Sequence, residues 1–272
     1  MIVANVLLRK MKVALEYPFG NFFYFLSAII FKSNKVWIFG AWGGNLYADN
    51  PKYLFEYINS KHKEIDPIWL SRNEQLIENL RNKNFKAYKI NSMPGLWYCC
   101  RASIAVISHG MIDVNRYACA RLKIVQTWHG IPMKPVLLSD PKQKTIKKRK
   151  LLSKLSSIFP FLKKELDYEN NLLICSSSTY VSTLLKQIFG KNAPLVETGF
   201  PRLDGLFQPD CQKEVSKEII TYQNQGMNVG IYMPTYRSNG EFDIIDFFAS
   251  EINYINECLV KNEQVLYLKI HP

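Results

Sequence analysis

Acidic residues are scarce in this chain: 23 Asp and Glu stand against 35 Lys and Arg, a formal net charge of +12 over 272 residues. That imbalance favours an acidic partner, whether nucleic acid, anionic lipid or a phosphorylated substrate. No DNA- or RNA-binding signature accompanies the charge, so nucleic acid is not expected. Cysteine is sparse and unpatterned. The six thiols (99, 100, 119, 175, 211 and 258) contain no CxxC spacing and mostly lie in apolar runs, which excludes a zinc ribbon and a disulfide framework and predicts buried, reduced side chains. Histidine is scarcer still. Three of the four stand apart from any Cys, Asp or Glu set at ligand spacing, and His62 has only Glu64 and Asp66 nearby on a polar segment. No metal cluster is therefore expected, and neither is a cofactor. Long apolar runs are missing as well. Phe19 to Phe31 is strongly apolar but only 13 residues long, whereas a membrane-crossing helix needs about 20. Glu16 interrupts the approach and no small-residue cleavage site precedes Lys32, which argues against a signal peptide. Arg9, Lys10 and Lys12 lie just upstream, so residues 1–33 read either as an interfacial anchor on an anionic leaflet or as a helix packed on the domain. No internal repeat is visible.

What is present is a folded α/β chain, with a hydrophobic fraction of 47% and an aromatic fraction of 13%. Strand-like runs at Val36–Gly40, Ile68–Leu70, Phe85–Ile90 and Ile104–Ser108 alternate with helical runs at Pro51–His62, Asn73–Lys83 and Pro94–Arg101. Such alternation predicts a parallel sheet covered on both faces. The pattern breaks between Lys134 and Lys164, where ten basic residues accompany one acidic residue, Asp140, and an apolar stripe falls at helical spacing. This insert suits an anionic membrane surface, and equally a solvated basic helix whose leucine face packs on the domain. The sheet pattern resumes with Leu172–Cys175, a helix to Phe189 and Leu195–Thr198. Residues 208–228 are polar and read as a linker. Val229–Met233 and a strand ending in His271 then frame a helix from about Asp243 to Val260. Two strands cannot bury a sheet by themselves, so residues 229–272 read as the truncated start of a second Rossmann-like domain after a first at 34–207.

Two histidines stand at strand ends, where open α/β sheets place their chemistry. His129 follows the run Leu122–Val125 in Gln126-Thr127-Trp128-His129-Gly130-Ile131-Pro132-Met133-Lys134, and His271 closes Lys269-Ile270-His271-Pro272. Imidazole titrates near neutral pH, which makes both candidates for proton transfer or charge stabilisation. His109, in Ser108-His109-Gly110, ends another strand and is a lesser candidate, whereas His62 reads as a surface residue.

Five segments in order resemble the CDP-glycerol glycerophosphotransferases, which build teichoic-acid and related polyol-phosphate polymers. They are Trp42–Asn50 (WGGNLYADN), Gln126–Lys134, Gly199–Asp204 (GFPRLD), Met233–Arg237 (MPTYR) and Lys269–Pro272 (KIHP). The resemblance implies a GT-B architecture with an acceptor-side domain N-terminal to a nucleotide-donor domain. It implies His129 as the base that deprotonates the acceptor hydroxyl, with His271 across the cleft stabilising the departing cytidine monophosphate. The remaining motif positions, Gln126, Gly130, Lys134, Arg202, Thr235, Arg237 and Lys269, fall to substrate binding, and Asp204 to a turn or to pairing with Arg202. The implied partners are a CDP-glycerol or related CDP-polyol donor, a lipid-linked acceptor and the anionic cytoplasmic face of the bacterial membrane. Family members continue well past the lysine-x-histidine-proline strand, so a truncated chain is expected to bind donor weakly. Two readings stay open beside this one: a GT-B glycosyltransferase using a nucleotide sugar, and a non-catalytic membrane-associated remnant.

Overall fold

The computed structural model describes residues 20, 22–133, 172–207, 217–233 and 244–269. The chain divides into two compact units, Met1–Leu206 and Phe207–Pro272. In the first, strands β1 (Ser33–Phe39), β2 (Asp66–Ser71), β3 (Ala87–Lys89), β4 (Ala102–Ile107), β5 (Lys123–Gln126), β6 (Leu172–Ser176) and β7 (Leu195–Glu197) form one sheet in the order β3-β2-β1-β4-β5-β6-β7. Every pairing is parallel. Strands with both faces covered read as continuous apolar runs rather than alternating ones, and β2 shows this with five of its six residues buried.

Helices span the β1–β2, β2–β3, β3–β4 and β6–β7 crossovers, whereas β4 and β5 are joined by a loop with a single 3-10 turn at Met111–Asp113. Helix α1 spans 22–29, α2 Asp49–Lys61, α3 Glu74–Asn82, α4 Met93–Arg101, α5 Thr179–Phe189 and α6 Pro201–Asp204. Side chains set their starts. Asn73, Ser92 and Ser178 accept hydrogen bonds from the backbone N–H groups of Leu76, Gly95 and Val181, respectively, satisfying donors that the first helical turn leaves open. Two apolar clusters cover the two faces of the sheet. Ile38, Ile68 and Leu70 pack with Cys99 of α4 and Leu185 of α5. Phe39, Trp69 and Val106 pack with Phe55 of α2 and with Ile77 and Leu80 of α3.

Within the N-terminal segment, helix α1 packs one face on the domain. Its Phe23 and Tyr24, with Ile30 just beyond, pack on the core. The buried Ser27 hydroxyl donates to the Tyr24 carbonyl (2.8 Å) and accepts from the Ala120 N–H (2.9 Å). The other face turns Phe22, Phe25 and Ile29 to the exterior. Among the described residues, no helix is long and apolar enough to cross a membrane.

The second unit contains a parallel pair, β8 (Asn228–Tyr232) and β9 (Gln264–Leu268), with helices α7 (Lys217–Asn224) and α8 (Ile244–Lys261). Helix α7 falls inside the stretch expected to be a linker. It fully buries no residue, so its sequence carries little apolar periodicity to announce it. Helix α6 lies within the Gly199–Asp204 motif and spans only four residues. The basic insert 134–164 lies outside the described residues. Cys99, Cys100, Cys119 and Cys175 are buried as expected, whereas Cys258 is exposed. Burial pushes the thiols of Cys99, Cys100 and Cys175 upward in pKa, which keeps them protonated and unreactive.

Candidate functional site at the sheet switch point

In the first sheet the order of strands reverses between β1 and β4, and ligands of open α/β sheets bind outside the carboxyl ends of strands at such a point. Three loops converge there, following β1, β4 and β5. Each carries an aromatic or imidazole ring: Trp42 after β1, His109 after β4, and Trp128 with His129 after β5.

The backbone at these loops is strained. Six non-glycine residues among those described have positive φ, and Trp42 (52°), Asp49 (60°) and Trp128 (55°) belong to this site. Each left-handed non-glycine residue costs about 1–3 kcal/mol and persists only where its surroundings over-determine it. The surroundings are buried polar side chains. The Asp113 carboxylate, fully buried, accepts from the Gly43 N–H on Oδ1 (2.7 Å) and from the Ser108 (2.9 Å) and His109 (2.7 Å) N–H groups on Oδ2. One carboxylate thus ties the turn after β1 to the turn after β4. Gly40 allows this approach, because a Cβ there would lie 2.1 Å from the Asp113 carbonyl oxygen.

Asn50, also fully buried, joins the other segments. Its Nδ2 donates to the carbonyls of Thr127 (3.1 Å) and Trp128 (2.8 Å), and its Oδ1 accepts from the Arg202 N–H (3.2 Å). The Arg202 guanidinium donates to Asp49 Oδ1 (2.8 Å) and to the His129 carbonyl (3.0 Å). Asp49 Oδ2 in turn accepts from Trp42 Nε1 (2.6 Å). Gly130, beside this guanidinium, has φ 151°, a conformation that L side chains rarely adopt.

The His129 ring is half-buried, with Nδ1 3.2 Å from the Ser108 carbonyl oxygen. A carbonyl only accepts, so this contact places the proton on Nδ1 and leaves the Nε2 lone pair as the basic position of the neutral ring. His109 lies against it, ring centroids 4.2 Å apart and planes within 9°. Trp128 stacks at 4.3 Å and anchors the loop edge-on to Phe189 at 5.1 Å.

His129, Gly130 and Arg202 therefore meet in one place. Gln126 turns its amide to the backbone. It is buried, and its amide is used at both ends, Nε2 donating to the His109 carbonyl (3.2 Å) and Oε1 accepting from the Trp128 N–H (3.0 Å). A side chain at the end of an interior strand has backbone on both sides to satisfy, and that is what Gln126 does. Arg202 pairs with Asp49 rather than Asp204, which is exposed at the end of α6. His62 is on the surface, 2.9 Å from Glu64. Lys269 belongs to the second unit, where its N–H donates to the Tyr232 carbonyl (3.0 Å) and its side chain is exposed. Lys134, Thr235, Arg237 and His271 lie outside the described residues. Asp113, Asn50 and Asp49 were not singled out from sequence. Asp113 carried one usable cue, an Asp just past a strand-ending Ser-His-Gly turn, where such side chains cap backbone groups.

A family model described as CDP-Glycerol:Poly(glycerophosphate) glycerophosphotransferase matches residues 22–272. The chain is 24% identical over 261 residues to a teichoic acid poly(glycerol phosphate) polymerase of Bacillus spizizenii, covering 88% of this chain and 60% of that protein. It is 26% identical over 242 residues to a teichoic acid glycerol-phosphate transferase of Staphylococcus aureus, covering 86% and 59%. Among solved structures it is similar to the wall teichoic acid polymerase TagF, with a TM-score of 0.57 at 22% identity, over 99% of this chain and 63% of that one. A histidine-to-asparagine variant of the same polymerase with CDPG gives a TM-score of 0.61 at 22% identity, over 88% and 57%. This likeness shows the fold, and the chain spans less than two thirds of each of these relatives.

Proposed function

Because the chain belongs to the CDP-glycerol:poly(glycerophosphate) glycerophosphotransferase family, we propose that it transfers glycerol phosphate from CDP-glycerol to a terminal hydroxyl of a lipid-linked polyol-phosphate acceptor. The observation that carries this reading is the His129 ring, whose Nδ1 contact with the Ser108 carbonyl leaves Nε2 to take a proton. In the proposed step the acceptor hydroxyl gives its proton to Nε2 and its oxygen attacks the phosphorus that bears glycerol. The bond from that phosphorus to the bridging oxygen breaks, and CMP leaves with the electron pair. A base with a pKa near the working pH is the most effective in such a step, and positioning with positive charge supplies most of the rest. Arg202, held beside the His129 loop, is the cation assigned here to the acceptor side. The donor side is assigned to the second unit, with His271 given the charge on departing CMP, and Thr235, Arg237 and Lys269 the diphosphate. Lys134 is assigned to substrate binding. The CDPG named with the TagF variant supports this donor.

The acceptor's lipid calls for a membrane surface, and one patch of the first unit suits it. Ile29 and Phe31 are 80% and 78% exposed, Phe22, Phe25 and Trp97 are also exposed, and the Arg101 guanidinium lies 5.9 Å from both the Phe31 and Trp97 rings. Apolar side chains beside a basic one fit the interface of an anionic leaflet. This patch adjoins the N-terminal ends of β1 and β4, whereas His129 follows the C-terminal end of β5. The polymer would therefore extend along the sheet by roughly 20 Å, the length of six strand residues. The test is CMP release from CDP-glycerol with a lipid-linked acceptor, which His129→Ala should lower by about 10²–10⁴-fold. Release of a nucleoside diphosphate from a nucleotide sugar, with no CMP from CDP-glycerol, would refute the proposal.

A further inference from the structure

We infer that His109 is a positioning residue for His129: its ring is a fixed wall that holds the neighbouring imidazole in one orientation. The inference rests on the transfer reading for its purpose, but its geometry is independent of it. His109 is immobilised on three sides. Its backbone N–H donates to Asp113 (2.7 Å), its carbonyl accepts from Gln126 Nε2 (3.2 Å), and its Nδ1 lies 2.9 Å from the Ser108 hydroxyl. Trp42 lies against the same ring, 4.6 Å away and tilted by 51°. His129 is held less firmly. It follows a left-handed residue, Trp128, precedes Gly130 at φ 151°, and makes its ring contact with the Ser108 carbonyl at 3.2 Å, the long end of the hydrogen-bond range. Trp128 also stacks on the ring, at 4.3 Å but tilted by 29°, so the bond and this inclined contact leave the ring some freedom to turn. The parallel face of His109 at 4.2 Å and 9° removes that freedom. Orientation of a proton acceptor matters steeply, because a misplacement of about 1 Å can cost about 10²-fold in rate.

The test compares His109→Phe, which keeps a flat ring, with His109→Ala, which does not. In full-length protein carrying ¹³C-labelled histidine, the four imidazole signals are assigned by substitution, and the His129 ring protons report ring current from the stack. His109→Ala should move those signals toward the position of the exposed His62 and lower kcat for CMP release by about ten- to hundredfold. KM should stay within about twofold, the signature of an interaction that serves the transition state. His109→Phe should keep the His129 signals stack-shifted and restore most of kcat, a rescue that loss of a ring nitrogen could not give. Unchanged His129 signals and kcat in His109→Ala would overturn the inference. So would a His109→Phe enzyme as slow as His109→Ala, since the imidazole nitrogens would then be needed in their own right. If the unsubstituted chain releases no CMP, the transfer reading fails and the ring signals alone decide. Displacement by Ala with retention by Phe upholds the stack, and no displacement by Ala overturns it.

Discussion

Asp113→Asn is the sharpest test of how the site is built, because it changes one atom in a side chain that no solvent reaches. In the native site Oδ1 serves the Gly43 N–H and Oδ2 serves those of Ser108 and His109. Hydrogen bonds to a charged group contribute about 1.5–3 kcal/mol each, and neutral ones about 1 kcal/mol. An asparagine keeps one acceptor oxygen. Its best placement faces Ser108 and His109, weakening two bonds by about 1 kcal/mol each, and turns its NH₂ onto the Gly43 N–H. Donor then faces donor at a separation that was 2.7 Å, and a third bond worth about 2 kcal/mol is lost. The sum is about 4 kcal/mol. For a unit of about 200 residues, 1 kcal/mol moves Tm by about 2–4 °C, so Tm should fall by about 8–16 °C. Differential scanning calorimetry measures this directly. Near-ultraviolet circular dichroism should register the release of Trp42, which adjoins Gly43. Asp204→Asn, on the exposed end of α6, is the control and should stay within about 0.5 kcal/mol. An Asp113→Asn protein within about 1 kcal/mol of the parent would refute the idea that this carboxylate couples the two turns.

Two further outcomes follow from burial and exposure elsewhere. Burial raises the Cys99 thiol above its ordinary 9.0 and the Tyr47 phenol above 10.0. The folded state therefore keeps protons that the unfolded chain releases. The Cys99 contribution is full below pH 9 and is lost as pH rises toward the raised folded value, at about 1.4 kcal/mol per pH unit. Urea midpoints between pH 7 and 10.5 should fall less steeply in Cys99→Ala, and identical slopes would contradict the assignment. At the other end of the sheet, replacing Phe25 and Ile29 together by Ser should weaken flotation with vesicles containing anionic phosphatidylglycerol by about 10²-fold. That factor is about 3 kcal/mol, well within the burial of two large apolar side chains. Equal flotation of parent and variant would remove α1 from the membrane patch.

The regular elements were legible because burial on both sheet faces forces continuous apolar runs, and crossover helices must present an apolar stripe. Ile68–Leu70 and the α3 stripe of Leu76, Ile77 and Leu80 are read straight from those two demands. Two short helices were less legible. Helix α7 and the four-residue α6 fully bury no side chain and stand among polar and turn residues, so only turn and linker composition showed. The placement of the strand-end candidates was legible: His129 follows β5 and Arg202 follows β7, at the carboxyl ends of the strands.

What stayed hidden was the division between side chains that face a ligand and side chains that face the backbone. Gln126 and Arg202 are both polar residues in strand-end motifs, yet Gln126 spends its amide on the His109 carbonyl and the Trp128 N–H, whereas Arg202 keeps a half-exposed guanidinium beside His129. The difference is set by how many unpaired backbone groups a loop leaves behind, and that number depends on φ and ψ. The left-handed turns at Trp42 and Trp128 aim N–H and carbonyl groups away from any strand partner, and each such group must find an internal acceptor or donor. Asp113 and Asn50 are the residues that meet this demand, one for the turns after β1 and β4, the other for the turn after β5. The His129 ring stacks on His109, the loops that carry these rings contain left-handed turns, and the backbone groups those turns leave unpaired are met by the buried Asp113 and Asn50. It follows that Asp113→Asn should disturb the His129 ring signals as well as Tm. Its position in the chain, more than ten residues before His129, gives no hint of that connection.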